Sequence, residues 1–146
     1  MNRLEASEKH LAQKMKVVSE EKRRRAVRVA CEIAFQICPV DLPVVDESLR
    51  QLLSGYQLSI EQVSKLEWLV AQLDEEYFNL QDIQNEDMEL NSQALHFFSQ
   101  ARAVSALACA GREDSIESAT EAIYEAASAI EDGLILNAVF SVLSEI

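Results

Sequence analysis

The chain has 146 residues, 49% of them hydrophobic, which excludes a disordered chain and fits one domain able to bury about 70% of its unfolded surface. Three glycines and two prolines are too few for the turns of an all-β protein of this size. With 13 basic and 25 acidic side chains the formal net charge is −12, which excludes coating of nucleic acid or an anionic membrane by the chain as a whole.

The first helical segment spans about Leu4 to Ile37. Its early half is charged, with Leu4, Leu11 and Val18 at seven-residue spacing; its later half carries a wider apolar face of Ala26, Val29, Ala30, Ile33, Ala34 and Ile37. Residues 1–24 are expected to protrude or fray as a basic arm, because their apolar stripe is thin. A second helix runs from Leu42 to Ser54, with Asp41 as N-cap, Pro43 in the first turn and Gly55 at the end. Ser59 and Gln62 form a capping box for a third, whose stripe is Val63, Leu66, Val70, Leu73 and Tyr77; Trp68 falls off that stripe. No glycine or proline separates Gly55 from Gly111, a length too great for one helix in a compact domain, so a break belongs in the polar stretch Asn79 to Asn91. The fourth helix then runs from Met88 to Ala110, with Ala94, Phe97, Phe98, Ala101, Val104 and Ala108 inward and Gly111 as its C-cap. The fifth starts after Asp114 or Ser115 and ends at Asp132-Gly133; the last spans Leu134 to Ser144. Alanines between Ala94 and Ala129 favour close packing of the fourth and fifth helices. The expected fold is all-α, a compact bundle of five to six helices with a long N-terminal helix.

The start of the chain, Met1-Asn2-Arg3-Leu4-Glu5, lacks the apolar core of a secretory signal, and no apolar run approaches the ~18 residues of a membrane span. Cys31, Cys38 and Cys109, an odd set at irregular spacing, read as small core hydrophobes in a reducing cytoplasm. Catalytic patterns are absent: no G-x-S-x-G, no H-E-x-x-H, no C-x-x-C and no phosphate-binding loop, and nothing selects an acid–base pair from the 25 carboxylates. His96, beside Phe97-Phe98, reads as a half-buried, hydrogen-bonded side chain. The expectation is a protein that is not an enzyme and carries no cofactor and no metal.

Charge is distributed unevenly. Residues 1–28 carry +5 and the rest −17. From Leu66 to Ala101 there are eight carboxylates and no lysine or arginine. Three readings compete: a solvated edge kept for solubility, a docking surface for a basic partner, or a divalent metal site. In the second, Asp74, Glu75, Glu76, Asp82, Glu86 and Asp87 steer the partner, with Trp68 and Tyr77, and Phe78 beside them, as apolar anchors. The run Lys22-Arg23-Arg24-Arg25 packs on the chain's own acidic body, serves a homodimer through Leu4, Leu11 and Val18, or touches nucleic acid, an option that the −17 remainder opposes.

Two stretches carry a resemblance. One is Arg25-Ala26-Val27-Arg28-Val29-Ala30-Cys31-Glu32 with Leu49-Arg50-Gln51-Leu52-Leu53-Ser54-Gly55; the other is Ala101-Arg102-Ala103-Val104-Ser105-Ala106-Leu107 with Tyr124-Glu125-Ala126-Ala127. Together, over about half the chain, they resemble small acidic all-helical immunity proteins of bacterial polymorphic toxin systems. The resemblance implies a cytoplasmic protein that occludes a basic cognate toxin. The alternative is a self-associating structural or adaptor protein that uses its N-terminal helix.

Overall fold

Ser19 decides how the fold begins. Its hydroxyl accepts a hydrogen bond from the Lys22 amide at 3.2 Å, and Glu20 and Glu21 fill the turn behind it, where carboxylates complement the helix dipole. The expected long first helix is therefore two helices, α1 (Lys9–Val17) and α2 (Glu20–Ile37). Arg23 closes the break from the other side, donating to the carbonyls of Met15 at 3.3 Å and Val18 at 2.8 Å, acceptors that the end of α1 leaves open. Apolar periodicity alone runs straight through the Ser19-Glu20-Glu21 cap.

The computed structural model describes residues 9–83, 88–112, 115–130 and 133–145, without the side chains of residues 82–83 and 88–90. After α2 come α3 (Pro43–Leu53), α4 (Ile60–Ile83), α5 (Met88–Arg112), α6 (Ile116–Ala129) and α7 (Leu134–Leu143). The described residues hold seven helices and no strand, so the chain is all-α and exceeds the expected count through the break at Ser19.

Helices α4 and α5 form an antiparallel hairpin, each about 36 Å long by helical rise. Its cross-links keep register: Glu67 meets Arg112, Asp74 meets Arg102 and Tyr77 meets Phe98, one number rising as the other falls. Helix α6 folds back along α5, and α2 lies against α5, α6 and α7. The second half of α5 is the centre of the molecule. Ala101, Ala103, Val104, Ala106, Leu107, Ala108 and Cys109 are all buried there, and their small side chains let the neighbouring axes come close. Helix α7 caps the core with Ile135, Val139, Val142 and Leu143.

Helix α1 docks on α6 and α7, with Leu11 and Met15 wholly buried. Lys14 donates to the Ser144 hydroxyl at 2.5 Å, Lys22 to the Glu145 carbonyl, and Arg25 pairs with the Glu145 carboxylate at 2.5 Å. Residues 9–24 thus belong to the folded body and do not protrude; residues 1–8, with Leu4, lie outside the described residues. The basic segment packs on its own chain, but on the C-terminal end and not on the acidic middle. Leu11, needed for the homodimer seam, is spent inside the monomer.

The Ser59–Gln62 capping box forms as expected: the Ser59 amide donates to Gln62 Oε1 at 2.9 Å and the Gln62 amide to Ser59 Oγ at 3.0 Å. Gln62 also reaches Gln51 and Ser48, which ties α3 to α4. Asp41 is not the cap of α3; Leu42 holds that position without a side-chain bond, and Pro43 supplies the preset backbone of the first turn. Ser115, not Asp114, caps α6 through the Ser118 amide at 3.0 Å; Asp114 lies outside the described residues. His96 is exposed, not half-buried.

Two glycines serve different ends. Gly55 has φ of +91° in the turn after α3, open space around it, and a backbone that only glycine adopts readily. Gly111 is no C-cap, since α5 continues to Arg112; a β-carbon there would stand 2.3 Å from Leu58 Cδ1, so its bare backbone seats Leu58. Gly55→Ala is expected to cost about 1–2 kcal/mol through backbone strain, and Gly111→Ala about 2 kcal/mol through overpacking. Urea denaturation measures both. Shortening Leu58 to Ala in the Gly111→Ala background should relieve most of the clash, since only the β-carbon of residue 58, 2.9 Å away, remains, and the same change should bring no relief to Gly55→Ala.

The three cysteines are free and buried. Burial, with Cys109 nearby, pushes the Cys31 thiol from its ordinary 9.0 up to about 12. Burial raises Cys38 and Cys109 as well. The unfolded chain therefore releases thiol protons above pH 9 that the native chain keeps, so these groups lower stability as pH rises toward 12. Denaturation midpoints measured across that range should fall less steeply in Cys31→Ala than in the unsubstituted chain.

Candidate functional site

The acidic middle of the chain is not one uniform field. Its residues lie mainly on α4, whose inward stripe of Val63, Leu66, Leu69 and Leu73 fixes which side chains face out. Trp68 is 65% exposed, so it lies off the core rather than packing on another element. Glu75, seven residues on, shares its face, and Phe78 (58% exposed) stands one turn further. Glu75 and Glu76 are exposed and meet no ion-pair partner among the described residues. Ile60, at the start of α4, is 88% exposed and lies five helical turns from Phe78 on the same side. The outer face of α4 therefore shows Ile60, Trp68 and Phe78 to solvent, with the exposed Ser64 and Ala71 between them and two carboxylates, Glu75 and Glu76, that have no ion-pair partner among the described residues.

Two expected members turn away from this face. Tyr77 is half-buried, its ring 5.3 Å from that of Phe98, so Phe78 and not Tyr77 is the outer aromatic. Asp74 accepts from Arg102 Nη2 through both oxygens, at 3.1 and 3.0 Å. The side chain of Asp82 lies outside the described set, as do Glu86 and Asp87 entirely. Glu67 is held by Arg112 at 2.9 Å.

Arg102 and Glu125 are what reasoning from charge runs missed. Arg102 Nη1 donates to Glu125 at 3.0 Å while Nη2 holds Asp74, so one guanidinium joins α4, α5 and α6. Glu125 is 5% exposed, and Arg102 is largely buried with its guanidinium 5.7 Å from the Phe98 ring centre. Its Nε finds no partner among the described residues. The signal was present: Arg102 is the first cation after the long acidic run and sits among alanines too small to cover it. Glu117, Glu121 and Glu125, spaced as one stripe, pass from exposed to half-buried to buried, so the stripe tilts into the core.

Among the described residues no three His, Cys, Asp or Glu side chains gather as a metal site, and no helix is long and apolar enough to cross a membrane. Replacing Arg102 by Met should destabilise the chain by about 3 kcal/mol, because Glu125 stays buried without its guanidinium. The double variant Arg102→Met/Glu125→Leu should regain at least half of that loss, read from urea denaturation midpoints. A double variant as weak as the single one would deny the pair its role.

No protein-family model, no curated protein and no solved structure matches this chain, so fold and site rest on its own residues.

Proposed function

We propose that the chain is a non-enzymatic acidic binding protein that captures a basic protein partner on the outer face of α4, acting as an immunity protein acts on a toxin. The observation that carries the reading is Trp68 exposed beside Glu75, which has no counter-charge among the described residues. A large aromatic left in water is a ready anchor, and neighbouring unpaired charge steers a cationic partner toward it. Asp74 contributes indirectly, by holding α4 in place through Arg102. Asp82, Glu86 and Asp87 extend the same acidic sequence past Phe78. The block is steric and electrostatic: the outer face of α4 covers a basic surface, the carboxylates set the rate of encounter, and Trp68 and Phe78 set the rate of escape. The reading places the protein in the cytoplasm, where three free buried thiols stay reduced.

The test uses the purified product of the reading frame adjacent to this chain's own. Trp68→Ala should weaken capture about tenfold or more through faster dissociation. Glu75→Lys/Glu76→Lys should slow association at low salt, and the difference should shrink as salt screens it. Surface plasmon resonance separates the two rates. Failure of that product to bind, or binding indifferent to both variants, would sink the proposal.

A further inference from the structure

Helix α2 carries the chain's densest positive charge, and part of it lines a cleft. About 710 Å³ lies between the first turns of α2, the turn after α3, the end of α5 and the start of α6. That is the size of a small-molecule site. Arg24 and Arg28 stand one turn apart on its α2 wall with Val27 beside them. Tyr56, 68% exposed, faces the cleft from the turn that Gly55 makes, and Ala110 and Ala119 leave room on the far side. Leu58, seated on Gly111, pins that turn against α5.

The three lining arginines are not equivalent. Arg23 is committed to the carbonyls that end α1. Arg24 pairs with Glu20 at 2.7 Å, with both side chains about half exposed, an arrangement that water screens and that is readily redirected. Arg28 is half-buried and makes no hydrogen bond or ion pair with any described residue. The chain has 25 carboxylates, yet Glu21 is the one acid among the described lining residues. A guanidinium withdrawn into a concave wall without a counter-charge gains when an anion arrives, and its planar fork suits phosphate or carboxylate oxygens. The net charge of −12 repels anions from the surface at large, so only local groups of this kind can hold one.

We propose that this cleft binds a small organic anion, a phosphate- or carboxylate-bearing molecule with an apolar or planar body. Arg28, aided by Arg24, takes the charged group; the Tyr56 ring and Val27 cover the body. The inference stands apart from the partner reading and uses none of its residues.

Isothermal titration of the full chain tests it with adenosine monophosphate as the phosphate probe, phenylpyruvate as the carboxylate probe and inorganic phosphate as the bodiless one. At least one organic probe should bind saturably at one site and more tightly than inorganic phosphate; which of the two binds identifies the charged group. Arg28→Gln should weaken that binding about tenfold or more, Tyr56→Ala should weaken it by a smaller factor, and Lys65→Gln should leave it unchanged. Thermal melts establish that the variants are folded, and Tyr56→Ala, on an exposed side chain, keeps the test alive if Arg28→Gln is not. No saturable binding up to about 10 mM, or binding that neither Arg28→Gln nor Tyr56→Ala alters, would overturn the proposal.

Discussion

The arrangement of the acidic half of this protein depends on one guanidinium. Arg102 is the meeting point of α4, α5 and α6, and its two amino groups reach Asp74 on one side and Glu125 on the other. An arginine so placed fixes register. Sliding α4 by one residue against α5 would rotate Asp74 away and break both of its bonds to Arg102. The facing surfaces of α5 and α6 are rich in alanine, which packs closely but slides easily, so a directional contact supplies what smooth packing does not. The tilted ring pair of Tyr77 and Phe98 lies beside the same crossing and resists the same shift.

Fixing α4 in this way determines what it shows to solvent. With Val63, Leu66, Leu69 and Leu73 inward and Asp74 drawn to Arg102, Trp68, Glu75 and Phe78 face water. The outward face is thus a by-product of how the acidic stretch is neutralised: Glu67 and Asp74, each beside an arginine, become part of the scaffold, and Glu75 and Glu76 stay in solvent. The cleft beside α2 shows the converse. Arg23 is absorbed by the end of α1, while Arg28 keeps its charge without a partner among the described residues.

Most of the helical plan was legible in the sequence because it rests on local signals. Ser59 with Gln62 announces a helix start wherever the helix ends up in space, and Pro43 and Gly55 bound α3 in the same way. The break at Ser19 was also local, but the apolar period continues across it and masks the cap. Site reading suffered more. Charge counting treats Glu75 and Asp74 alike, and only the hairpin register brings Arg102, 28 residues away, onto one of them. Tyr77 and Phe78 are adjacent in sequence and opposite in fate, since one residue turns a helix by about 100°. Gly111 looked like a terminator, yet its role depends on Leu58 from a distant turn, a contact no periodicity encodes.

The docking of α1 has a further consequence for biosynthesis. Leu11 and Met15 leave the ribosome early, but the surfaces that cover them, on α6 and α7, are made late, and the bonds from Lys14 and Arg25 end at Ser144 and Glu145. Such closure spans nearly the whole chain and carries the loop entropy of long-range contacts. The nascent polypeptide must therefore hold α1 unsatisfied until α6 and α7 have been made, and its tertiary structure is sealed only after translation has passed α7.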